Sequence, residues 1–215
     1  MFARVARYVP ANGILFAALV IVAELLQDEP GEKASNAEVV AYYADSANRN
    51  AEFVAFLLIG LSGFCFLSFL GSLRGALART EGEPARLTTA AIGSGVAFIA
   101  LALAAHAVGT AMAGAAGFFD TFEVDPNTAR VLISLSYGLF TLSLFAAAAM
   151  TAAVAVIALW LRGVPAWLGW FGLLATLAGF FGFLVLPSLV VLAWIVAASV
   201  WLLRTGSTTW RPEAA

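Results

Sequence analysis

The sequence predicts an all-α fold, a polytopic membrane helix bundle of six transmembrane helices with both termini in the cytoplasm. Of 215 residues, 62% are hydrophobic and only 11% charged, which is more apolar surface than a soluble domain can bury. The apolar residues fall into six runs, at about 9–26, 53–73, 87–119, 131–161, 167–186 and 188–203. A helix needs roughly 20 residues to cross ~30 Å of hydrocarbon, and the runs match that, the two central ones being longer and the last short. The basic residues set the orientation. With the N-terminus inside, Arg4, Arg7, Arg74, Arg79, Arg86, Arg162, Arg204 and Arg211 are cytoplasmic and only Lys33, Arg49 and Arg130 are outside, as the positive-inside rule requires.

Run one follows Arg4 and Arg7 but is longer than a signal-peptide core and lacks an Ala-x-Ala site before Gln27, so it is read as a retained span. Residues 27–52 form an outer loop with a short amphipathic interfacial helix. Ser35 and Glu38 make a capping-box pattern there, followed by Val39, Tyr42 and Tyr43 at helical spacing. Those tyrosines suit an anchor at the membrane surface; a lid over an outer pocket is the alternative. Acid concentrates outside, with Asp28, Glu29, Glu32, Glu38 and Asp45 in the first loop and Asp120, Glu123 and Asp125 in the second, which is ordinary hydration of an exported face. Run two holds the single cysteine, Cys65, which reads as a packing residue. Short inner connections follow runs two and four, at Arg74 to Arg86 and Arg162 to Pro165.

Run three is built from small residues. Ala90, Ser94, Ala102, Thr110 and Gly114 lie on one i+4 row beside Gly93, Gly95, Gly109, Ala113 and Gly117, so this span is expected at the centre of the bundle. From Trp167 to Leu203 a single helix would reach roughly 55 Å at 1.5 Å per residue, so a turn is expected at Pro187. Residues 205–215 read as a loose cytoplasmic tail.

Few residues suggest chemistry. His106, the only histidine, sits in the small-residue row. Counted from the helix ends, Glu24 and Tyr137 lie at a similar depth in the outer half, so His106, Glu24, Tyr137 and Thr110 are the candidate polar cluster or ligand site. The plainer reading of His106 is a satisfied packing histidine. No catalytic residues and no metal ligands are expected, and no cofactor: one histidine and one cysteine cannot supply the paired axial ligands of a membrane di-haem protein or a zinc set. Gly60-Leu61-Ser62-Gly63 is only a weak echo of an intramembrane serine nucleophile. The arginines form no basic stripe, which excludes nucleic acid. Gly60/Gly63 and Gly179/Gly182 are the one echo between two inverted three-span halves, as a transporter would have.

Tyr42-Tyr43-Ala44-Asp45 with Asn48-Arg49, Gly71-Ser72-Leu73-Arg74, and Pro165-Ala166-Trp167-Leu168-Gly169-Trp170 give the chain its wider pattern. In these it resembles a family of uncharacterised six-span integral membrane proteins of high-GC bacteria, a domain of unknown function, over nearly its whole length. That resemblance implies the topology and a multi-pass place in a bacterial plasma membrane, and it brings no activity. Two functions follow as expectations. One is a non-catalytic module that packs against membrane lipid, itself as a homo-oligomer, or a membrane protein partner. The other is a small transporter or binding protein for a polar or amphipathic ligand entering an outer-leaflet pocket around His106.

Overall fold

A computed structural model describes residues 8–28, 30–31, 33–161, 163–181 and 185–209. Arg4, Arg7, Glu29, Glu32, Arg162, Gly182, Arg211 and the tail from Trp210 onward lie outside the described residues. After a 3-10 turn at Val9–Ala11 the helices are α1 (Asn12–Leu26), α2 (Asn36–Ala44), α3 (Ser46–Glu81), α4 (Arg86–Gly109), α5 (Ala111–Phe118), α6 (Pro126–Trp160), α7 (Ala166–Phe180) and α8 (Val185–Thr209). Val9–Leu26, Ser46–Glu81, Arg86–Gly109, Pro126–Trp160 and Pro187–Thr205 are each long and apolar enough to cross a membrane, whereas α7 is a shorter apolar helix. Their outer faces carry exposed Leu57, Phe64, Trp170 and Leu177. Exposed apolar surface of that extent belongs in lipid, so the chain is an all-helical, multi-pass membrane protein. Pro187 stands in the first turn of α8, and residues 205–209 continue that helix rather than opening the tail.

Two expectations for run three are corrected. It is not one helix: α4 ends at Gly109, Thr110 turns the chain at φ −82°, ψ −1°, and α5 begins at Ala111. The Thr110 hydroxyl donates to the His106 carbonyl at 2.9 Å, a back-bond that bends helices, in a glycine-rich stretch of low helix propensity. Nor is run three the centre. In its most apolar stretch α4 is 28% buried and α6 56%. An i+4 row drifts about 40° per step on a helix of 3.6 residues per turn, so a row from Ala90 to Gly114 winds most of the way around. Ala90 and Gly93 therefore face outward, and the packed face is Ala91, Gly95, Phe98, Ile99 and Ala105. A Cβ at Gly95 would lie 2.8 Å from Leu70 and 3.0 Å from Met150, so glycine lets α4 settle against those side chains of α3 and α6.

Glycines let α7 lie close against α6. A Cβ at Gly169 would sit 2.9 Å from Ala158, and one at Gly179 would sit 2.8 Å from the Leu144 carbonyl. The two helices are thus antiparallel, with α7 covering α6 only from about Ala158 back to Leu144. Trp194 of α8 is buried behind them and donates to the Leu168 carbonyl at 3.2 Å. The main core centres on the rings of Phe16, Phe66 and Phe98, with centroids 4.9 Å (Phe16–Phe66) and 5.1 Å (Phe66–Phe98) apart. Cys65 is a buried free thiol beside them.

A cap covers one end of the bundle. The capping box of α2 is formed: the Ser35 amide donates to Glu38 Oε2 at 2.6 Å and the Glu38 amide to Ser35 Oγ at 3.3 Å. Val39 and Tyr43 then pack on Met112, Ala113 and Ala129. Tyr43, 1% exposed, is therefore a core residue of this cap and not a surface anchor, because α5 and the start of α6 supply an apolar seat that no headgroup layer offers. Asn48 and Arg49 at the start of α3 donate to the terminal carbonyls of Tyr42, Tyr43 and Ala44 of α2, satisfying groups that a helix end leaves open. Arg130 ties the two loops together, donating to Asn36 Oδ1 at 2.8 Å and to the Ala34 carbonyl at 2.9 Å.

Candidate functional site

Because α7 stops beside Leu144, the preceding part of α6 has no partner from that helix. Along it, next to α1, α4 and the start of α8, lies a cavity of about 500 Å³, within the roughly 300–1,000 Å³ of small-molecule sites. Its floor is apolar: Phe16, Phe98, Ile99 and Leu144, resting on the aromatic core. Its rim is polar. Glu24, Gln27 and Asp28 come from the end of α1, His106 from α4, Ser136 and Tyr137 from α6, and Ser188 from α8.

All four sequence-predicted residues, His106, Glu24, Tyr137 and Thr110, line this one cavity. His106 Nε2 stands 3.4 Å from Glu24 Oε1, the histidine 15% and the glutamate 56% exposed. A committed charge-assisted bond is shorter, about 2.7–2.9 Å, so the pair touches loosely and keeps hydrogen-bonding capacity for a third group. Thr110 plays a different part, since its hydroxyl is spent on the His106 carbonyl and holds the break between α4 and α5. Tyr137 lines the cavity and is largely exposed.

Sequence reasoning missed Gln27, whose Nε2 is buried without a hydrogen-bond partner among the described residues. Its signal was available in the spacing: Gln27 and Asp28 follow Glu24 by three and four residues, just past the end of α1 at Leu26. It also missed Glu52, placed in a hydrated loop by count yet 1% exposed in α3. The row Glu52, Ala55, Ile59, Ser62, Phe66 is the buried face of α3, so the apolar period extended backwards would have found it. Gly60 and Gly63 differ in role, Gly60 facing open space and Gly63 receiving Leu103, which weakens the echo with Gly179.

Chemically the site offers a carboxylate pair, an imidazole and an amide above an apolar floor, with no Lys or Arg among its described lining. Among the described residues no cluster of His, Cys, Asp and Glu could hold a metal ion. The arrangement can seat an apolar tail and offer hydrogen-bond acceptors to its head. Comparison with known protein families, with curated proteins and with solved structures finds no match for this chain.

Proposed function

We propose that the protein is a non-catalytic membrane module that binds an amphipathic ligand in the cavity around His106. We place it in a bacterial plasma membrane as a six-span bundle with both termini cytoplasmic and the capped end outside. The arginine asymmetry supports the orientation, since Arg74, Arg79, Arg86 and Arg204 gather at the end opposite the cap. The antiparallel run of α6, α7 and α8 supports a sixth span, and the quoted motifs support the bacterial setting. One observation carries the functional reading: a loose His106–Glu24 pair, with Gln27 on the same rim, above the apolar floor of a cavity. Polar groups at membrane depth are expensive unless paired, and a polar head would complete these.

A native mass spectrum of the protein released gently from its membrane tests this. The expected result is a discrete adduct that disappears in His106→Ala while the folded yield is kept. A clean protein mass with only heterogeneous lipid would overturn the reading, and loss of the fold in His106→Ala would return His106 to packing alone.

A further inference from the structure

On the far side of His106 from the cavity there is a second hollow, of about 460 Å³, between α3 and α4. Phe56, Gly60 and Phe64 form one wall and Leu103, Ala104 and Ala107 the other. It opens on the outside of the bundle, where Phe64 is 73% exposed and Ala104 and Ala107 are exposed too. The helices touch at Gly63, where a Cβ would lie 3.1 Å from Leu103, but one turn toward the cap a Cβ at Gly60 would meet nothing within 4 Å. Gly60 and Ala107 thus leave a slot at a level where both helices are apolar and would stand in hydrocarbon. His106 and Ile59 line both the slot and the cavity, so two side chains are shared between them.

We infer that the ligand is an acyl-chain lipid of the surrounding bilayer, and that it reaches the cavity sideways through the slot between α3 and α4. The inference rests on the binding reading above and adds the ligand class and its route. Three features favour a lipid over a solute from water. The slot is apolar apart from His106, its open side faces acyl chains in any membrane this chain spans, and it joins the cavity at the residue that bears the polar head. Glu24 and Asp28 at the rim, without a cation, suit a head that donates hydrogen bonds, such as an ammonium, and repel a bare anion.

The test uses the full chain in nanodiscs containing phosphatidylethanolamine with a photoactivatable group midway along one acyl chain. Adducts are expected on the slot segments 56–64 and 103–107 and on the cavity floor at Phe98 and Leu144. Gly60→Phe fills the slot, and Ala107→Phe does so from the other helix should the first fail to fold. Either is expected to cut floor labelling about tenfold, which corresponds to about 1.4 kcal/mol in effective access, while a water-soluble short-chain ethanolamine amphipath still occupies the cavity. Undiminished floor labelling with the slot filled would overturn the lateral route and leave cavity binding intact. A floor labelled by neither probe would overturn both. Cross-linking of two protein copies across the slot in place of lipid adducts would show that a second chain covers it, and would also overturn the inference.

Discussion

His106 and Glu24 could be found in the sequence because polar residues inside apolar runs stand out, and counting at 1.5 Å per residue puts them at one depth. Ser188 could not be found this way, since its depth depends on where the chain turns between α7 and α8. The account predicts that Glu24→Gln keeps the shape of the pocket but weakens binding of an ammonium-bearing amphipath about tenfold, or about 1.4 kcal/mol, in a titration of purified protein. Equal affinity would remove Glu24 from the site. Two exposed acids should govern the acid stability of the cap. Hydrogen bonds from the Thr128 hydroxyl and amide hold Asp125 below its ordinary value of 3.8, and the Ser35 amide and hydroxyl hold Glu38 below 4.5. A carboxyl whose folded value is depressed stabilises above its unfolded value and loses that contribution as pH falls through the folded one. Protection of the Thr128 and Ser35 amides, taken relative to their intrinsic exchange rates, should therefore be high at neutral pH and fall below the ordinary carboxylate range, and Asp125→Asn should remove that dependence at Thr128.

Helices themselves were legible: the runs, the capping box and the need for a turn before α8 follow from period, cap chemistry and length. Helix partners were not, because small residues report that a close approach exists without saying on which face. The i+4 row of α4 looked like the tight interface, yet the glycines that meet a neighbouring backbone are Gly172 and Gly179 of α7, in a run that looked merely hydrophobic. Gly179→Ala is expected to cost about 1–3 kcal/mol as an overpacked site, because the new methyl meets the Leu144 carbonyl, a backbone atom that cannot swing aside. Gly114→Ala, which meets nothing within 4 Å, should be neutral or stabilise by up to about 1 kcal/mol. Thermal unfolding in one detergent compares the pair, and equal melting points would refute the α6–α7 contact. In the cap, Arg130→Ala removes the tie to Asn36 and Ala34 and should raise amide exchange in α2 about tenfold, for a loss of about 1–2 kcal/mol, with α3 and α6 unchanged.

At the scale of the whole molecule, one mismatch organises the rest: α6 has 35 residues and α7 has 15. At 1.5 Å per residue these are about 52 Å and 22 Å long. The long helix rises into the cap, the short one stops beside Leu144, and the space between becomes the cavity. The run bounds, 131–161 against 167–186, already carried the difference in length, but two runs alike in apolar character could not show that the short one stops beside Leu144. The six-span orientation predicts that Glu123→Cys reacts with an impermeant thiol reagent on intact cells, and that Glu83→Cys and Arg204→Cys react only after permeabilisation; Arg204→Cys reacting from outside would remove one crossing. The claim that this cavity holds an amphipath is tested most directly by an experimental structure of the protein in its own membrane lipid. Elongated density should run from the floor at Phe98 and Leu144 to a head lying against Glu24 and His106. A cavity filled only by water, or closed by its own side chains, would contradict the account.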